Sequence, residues 1–372
     1  MDVIDILADL VKIDTTNLPG NEKDIVDYIL SKFRGHEDFI EIQNGRNRSS
    51  LVVNIEGRTD ETVAFIGHID TVPVADEEAW KFPPFDAHIE GDIMYGRGTS
   101  DMKSGVACMV SLGDYFINKD IVPEKNIKLI FTADEERTGK GIISVFEKGY
   151  LEDVDFVIVP ENTSNDPALK EKGALWISLE LFGKSAHGAR PDLGINSIEI
   201  TYEILNDLKI YVGNFPDDEL LGSNTVSLNK ISGGKSTNII AEYCKAEIDI
   251  RTNPGLGNNE IIKQLEKIIS KHEKEKEGLK VKYKILTDRT SFEMEKENKY
   301  VKEFMATLNR KNLNYKQVGV TYFTDLSLVI PHQEIPFIIF GPGFIDKGHQ
   351  VDEHVSIEET RQADEIFLEY LS

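Results

Sequence analysis

Residues 62–73 read TVAFIGHIDTVP, residues 127–136 IKLIFTADEE and residues 156–161 FVIVPE. In each, an apolar run rich in β-branched and aromatic residues stops on side chains that bind metals or carry protons. These are His68 and Asp70, then Glu135 and Glu136, then Glu161. Runs without polar alternation mark strands covered on both faces, and helix-like segments lie between them. The stretch therefore predicts parallel strands of an α/β sheet. Loops leaving the carboxyl ends of such strands converge on one crevice. Unrelated surface acids would not recur at that one edge, so three strand ends carrying ligand-type side chains point to a functional site there.

Outward from this stretch, Ile4, Leu7, Ala8 and Val11 share one helical face of residues 2–12, and Ile25, Val26, Ile29 and Leu30 one face of residues 22–33. Residues 40–42 and 51–55 read as strands, 104–117 as a buried helix and 140–148 as a shorter one. Near residue 174 the pattern changes. A strand with one wet face (176–182), a helix (197–212), two strands (225–231 and 243–251), a charged helix (260–274) and a last strand (279–286) give the order βαββαβ. After residue 290 the α/β pattern returns with a helix at 299–309, a strand at 335–340 and a helix at 358–371. The expectation is a catalytic domain of residues 1–174 and 290–372, built on a central, mostly parallel sheet between helices. An inserted two-layer α+β domain would occupy residues 175–289.

A chain of 372 residues exceeds one ordinary core, which agrees with two domains. Acidic residues outnumber basic ones by 65 to 42, and a net charge of −23 argues against nucleic acid or an anionic membrane as partner. Cys108 and Cys244 are isolated in apolar runs and read as core thiols of a reducing compartment. The N-terminal MDVIDILADLVKID places acids where an export signal needs lysines. No run approaches the roughly 20 apolar residues of a membrane helix. These features predict a cytoplasmic protein acting on a small molecule.

The candidate donors are imidazole and carboxylate, with no thiolate, a set suited to zinc, cobalt or manganese with positions left open. Asp101 closes a loop, GRGTSD at 96–101, with glycines enough to bend sharply, and is the expected bridge between two ions about 3.5 Å apart. Asp70 is placed to orient the His68 ring. Of the adjacent pair, Glu136 is the expected ligand and Glu135 the general base, the carboxylate that collects and redelivers the proton of an activated water. Gly234-Lys235-Ser236 imitates the end of a phosphate-binding loop, but that motif needs glycine where Asn229 stands.

GHIDTVP at 67–73, YGRGTSDMKSG at 95–105 and the Glu135-Glu136 pair resemble the M20 metallopeptidases. Within them the chain is most similar to the branch of acetylornithine deacetylase and succinyl-diaminopimelate desuccinylase. The resemblance implies a dizinc site in which His68 and Glu161 hold one ion and Glu136 and His349 the other, with Asp101 bridging and Glu135 as base. His349, in GHQVDE at 348–353, is singled out by the resemblance alone. The inserted domain is similar to the family's lid or dimerisation domain, which implies a homodimer. His187 resembles the lid histidine that steadies the oxyanion in a partner subunit's site. Asn238 and Arg251 resemble the carriers of a substrate carboxylate, and Thr324 and Gly343 resemble pocket-lining positions.

Glu161-Asn162-Thr163 departs from the family's frequent Glu-Pro-Thr, and the residues after His187 are as similar to the dipeptidases as to the deacylases. The implied reaction is hydrolysis of an amide next to a free carboxylate in an N-acyl amino acid, with a metal-dependent dipeptidase or carboxypeptidase as the alternative. A two-metal phosphoesterase would instead recruit Arg97 and Lys103 to its oxyanion.

Overall fold

The computed structural model describes residues 1–311 and 313–372. It divides into two compact units, Met1–Leu169 with Met294–Val318 and Thr324–Ser372, and Lys170–Glu293 with Gly319–Phe323. The limits drawn from the sequence, residues 175–289, fall inside the segment Lys170–Glu293 of the second unit. The return of Gly319–Phe323 to it was not anticipated, because five residues are too few to show a period.

The first unit is built on strands β1 (Phe39–Gly45), β2 (Arg48–Ile55), β3 (Thr62–His68), β4 (Asn126–Thr132), β5 (Phe156–Val159) and β6 (Phe337–Ile339). Their spatial order is β1-β2-β4-β3-β5-β6. The pairs β4/β3, β3/β5 and β5/β6 are parallel, while β1/β2 and β2/β4 are antiparallel. Every residue of β3, β5 and β6 is buried, which is why their sequences carry no alternation. In the β3/β4 register His68 lies opposite Thr132, so both strands deliver their next residues to the same edge.

Helices cover the sheet. Asp2 caps Val3–Lys12, its carboxylate accepting from the Ile4 N–H at 2.9 Å, and Ser356 caps Ile357–Leu371 through the Glu359 N–H at 3.1 Å. Between them Ser104–Gly113 is buried on every side. Phe65 of β3 meets Phe367 edge to face at 5.1 Å, and burial of each such ring contributes roughly 1.5–3 kcal/mol.

The second unit has a four-stranded antiparallel sheet in the spatial order Thr225–Gly233, Tyr243–Thr252, Gly173–Phe182, Lys280–Arg289. Leu175, Ile177, Leu179 and Leu181 alternate along the third of these and pack with helices Ser197–Val212 and Asn258–Glu275 into a separate core. The opposite face is wet and carries pairs such as Lys245 with Glu180 at 3.3 Å.

Candidate metal centre

The carboxyl ends of the four parallel strands supply the donors. His68 ends β3, Glu135 and Glu136 lie in the turn after β4, Glu161 follows β5, and β6 leads into the loop that carries His349. Asp101 comes from the loop before helix Ser104–Gly113.

The two oxygens of Asp101 face opposite ways. Its Oδ1 lies 3.0 Å from His68 Nε2, which is itself 3.7 Å from Glu161 Oε1. Its Oδ2 lies 3.2 Å from His349 Nε2, which is 3.0 Å from Glu136 Oε1. Donors about 2.0–2.1 Å from a tetrahedral ion stand roughly 3.3 Å apart, so each half has the spacing of a shared cation. Donor atoms of His68, Asp101 and Glu136 fall within 4.8 Å of one another. The charges agree with that fit. Burial, and then the Asp101 charge, push the carboxyls of Glu136 and Glu161 above the ordinary range. Burial opposes charge on the histidines, but Asp101 with Glu161 holds His68 well above its usual value, and Asp101 with Glu136 brings His349 to about 11. Asp101 is held well below the ordinary carboxylate range by both imidazoles, against its burial. Crowded, buried carboxylates of this kind are relieved by divalent cations.

The ring of His68 is fixed from behind. Its Nδ1 lies 3.0 Å from the main-chain carbonyl of Asp70, leaving Nε2 for a metal. The Asp70 carboxylate, 3.8 Å from that ring, serves another partner and accepts from the N–H groups of Glu135 at 3.0 Å and Glu136 at 3.3 Å. Orientation of His68 is thus the work of Asp70's backbone, and its side chain holds the turn of the two glutamates. Glu135 is buried and close enough to raise the pKa of His68.

The loop of Asp101 is held by Glu353, which was not singled out from the sequence. It is wholly buried, and its Oε1 accepts from the N–H groups of Ser100 and Asp101, each at 3.0 Å. Its Oε2 accepts from Arg97. Arg97 is therefore engaged below the loop, and Lys103 donates to the carbonyls of Leu10 at 3.0 Å and Ile13 at 2.8 Å. Neither cation is available to a phosphoryl oxyanion, which removes the support for a phosphoesterase. Gly343, at φ +106°, lies where a Cβ would meet Ser100 O at 2.8 Å. Thr324 is buried, and its hydroxyl accepts from the Leu326 N–H at 3.2 Å.

The remaining expected residues belong to the second unit. His187 is exposed and its Nδ1 accepts from the Ala189 N–H at 3.0 Å, so Nε2 carries the proton of the neutral ring. Gly188 N–H donates to Asn238 O at 2.8 Å, which joins the loops of these two residues. Arg251 pairs with Asp249 at 2.9 Å, and its guanidinium lies 5.7 Å from the Phe323 ring. Lys235 of the phosphate-loop imitation pairs with Glu242. Cys108 and Cys244 are buried free thiols.

Residues 64–372 match the profile of peptidase family M20/M25/M40. A probable succinyl-diaminopimelate desuccinylase of Staphylococcus epidermidis is 27% identical over 387 residues, covering 95% of this chain and 93% of that relative. Among solved structures, a tripeptidase from Staphylococcus aureus superposes with a TM-score of 0.81 at 21% identity, over 100% of this chain and 97% of that one. A dinuclear metal-binding peptidase of the M20 family from Bacillus subtilis gives 0.75 at 16% identity, over 99% and 96% of the two chains. These structures share the mixed α/β fold with its mostly parallel sheet and separate antiparallel one.

Proposed function

This chain belongs to peptidase family M20/M25/M40 and is a metal-dependent hydrolase of amide bonds; we propose that it binds two divalent ions, zinc in preference to cobalt or manganese, and cleaves the amide of an N-acyl amino acid whose carboxylate is free. The division of Asp101 between a His68–Glu161 half and a His349–Glu136 half carries the two-ion reading. Ions held there supply Lewis acidity to a carbonyl oxygen and acidify water. Glu135 accepts the proton of the attacking water and returns it to the leaving nitrogen as the carbon–nitrogen bond breaks. His187, whose Nε2–H is free to donate, is the proposed partner of the oxyanion, and Asn238 and Arg251 of the substrate carboxylate. Thr324 and Gly343 are proposed to line the pocket.

The name of the 27% identical relative, a probable desuccinylase, supports an acyl amino acid over a dipeptide as substrate. Zinc-loaded protein assayed with N-succinyl- and N-acetyl-amino acids beside dipeptides tests the choice. Turnover of the acyl amino acids is expected, and turnover of dipeptides alone would overturn it. The inserted unit is proposed to dimerise through its edge strand Thr225–Gly233 and helix Ser197–Val212, which expose Ile231, Tyr202 and Ile198. A monomeric mass by light scattering would refute that.

A further inference from the structure

We propose that Asn17 and Arg48 are positioning residues of the metal centre, holding the Asp134–Glu136 turn through contacts to Asp70 and Asp134. The inference rests on the reading that Glu135 and Glu136 perform chemistry, and it assigns work to a loop and a strand that supply no ligand.

Asp70 is the node. Its carbonyl meets His68 Nδ1, and its carboxylate receives the Glu135 and Glu136 N–H groups, so one residue touches both halves of the centre. Asn17, in the loop TTNLPG before helix Glu22–Lys32, reaches the same carboxylate. Its Nδ2 lies 2.8 Å from Asp70 Oδ2 and 3.1 Å from Asp134 Oδ1. A primary amide has two hydrogens on that nitrogen, and two carboxylates take them. Asp134 opens the glutamate turn at φ +66°, a backbone region that residues with a Cβ seldom adopt, and the Thr138 hydroxyl also donates to it. Arg48, first residue of β2, completes the chain. Its Nη1 is 3.0 Å from Asp134 Oδ1, while Nε and Nη2 lie 3.1 and 2.5 Å from Glu22.

Glu22, Asn17, Asp70 and Asp134 are all buried, and the Arg48 guanidinium pairs with two of the three carboxylates, Glu22 and Asp134. Buried ion pairs seldom stabilise a fold better than apolar residues of equal volume would. Three buried carboxylates joined by one guanidinium and one amide therefore need a reason other than stability. The network supplies one by ending on the two main-chain N–H groups that aim the proposed base and a ligand. Partners of this kind, one layer behind the ligands, are worth about 10- to 100-fold in metal affinity or activity.

The test uses the full chain as Asn17→Ala, Asn17→Ser, Arg48→Met and Arg48→Lys. Amide hydrogen exchange over residues 133–139 is read without metal or substrate, zinc affinity by competition with a chromophoric chelator, and then kcat and KM on the hydrolysed amide. Asn17→Ala and Arg48→Met are expected to speed exchange at residues 135 and 136 while strands β3 and β5 keep their protection. Zinc affinity or kcat should fall about 10- to 100-fold with KM nearly unchanged. Arg48→Lys, which keeps the charge, should recover part of the loss, and Asn17→Ser, which keeps a donor, should be milder than alanine. Unchanged exchange at 135 and 136, or faster exchange throughout the first unit, would overturn the assignment. Localised exchange in a protein that hydrolyses no amide would instead sink the hydrolase reading and leave the positioning network standing.

Discussion

Gly105 lies against Pro160 so closely that a Cβ on it would stand 1.9 Å from the proline's carbonyl oxygen. On the other side a Cβ at Gly341 would meet the Pro160 carbonyl carbon at 2.5 Å. Gly105 follows the Asp101 loop, Pro160 precedes Glu161, and Gly341 opens the segment leading to His349. Three segments that carry proposed ligands thus converge on one peptide, and at Gly105 and Gly341 only a residue without a Cβ lets them approach.

Gly105→Ala is therefore expected to push the Asp101 loop away from Glu161. Overpacking of this kind costs about 1–3 kcal/mol. The variant should melt lower than the parent and bind fewer than two zinc ions by elemental analysis after desalting. Gly257→Ala, where nothing lies within 4 Å of the added carbon, is the control and should keep the parent's zinc content. Equal metal content in both variants would show that the contact does not set the site.

Glu135 touches the network by its main chain and is proposed to contribute its carboxylate to proton transfer alone. Glu135→Gln preserves shape and removes the base. The expected outcome is a loss of about 100- to 10,000-fold in kcat with zinc stoichiometry unchanged. Retained turnover would transfer the role elsewhere.

The two halves differ in exposure. The side chains of His68 and Glu161 are 2% and 4% accessible, whereas that of His349 is 51% accessible and its loop adopts φ +64° at that residue. Removal of metal with a chelator should consequently proceed in two phases, the ion of the Glu136–His349 half leaving first. His349→Ala should abolish the fast phase and keep the slow one, and His68→Ala should do the reverse. A single phase lost in both variants would mean that the ions bind as one unit.

The sheet was legible because strands covered on both faces cannot alternate, so TVAFIGH, IKLIFT and FVIV announce themselves and place His68, Glu136 and Glu161 at one edge. Glu353 was not legible. It is one acid among 65, and its partners, Arg97 and the N–H groups of Ser100 and Asp101, are some 250 residues away along the chain. Separation along the chain likewise misleads about Arg97, tied to Glu353, and Lys103, tied to Leu10 and Ile13 some 90 residues away, both of which look free in a loop. Asn17 sits among turn residues that ordinarily bond to their own backbone, so nothing local marks a side chain that joins two carboxylates. Periodicity reports burial, and hydrogen bonds between remote segments leave no period.

Away from the centre, Asp364 of helix Ile357–Leu371 is half-buried beside Cys108 and Ser111 of helix Ser104–Gly113. Burial pushes its carboxyl up to about 6. The Ser111 hydroxyl and the chain's amino terminus oppose that rise, and the charges of Glu365 and Asp2 add to it. A folded pKa above the unfolded value means that the native state holds its proton longer, so stability is complete below the unfolded pKa of about 3.8 and declines as pH rises through about 6. The loss is at most about 3 kcal/mol and is constant above that window. Asp364→Asn removes the titration. In urea unfolding the variant should match the parent near pH 4 and exceed it above about pH 7, with the difference growing between those limits. A difference that does not change with pH would show that Asp364 titrates normally in the folded chain.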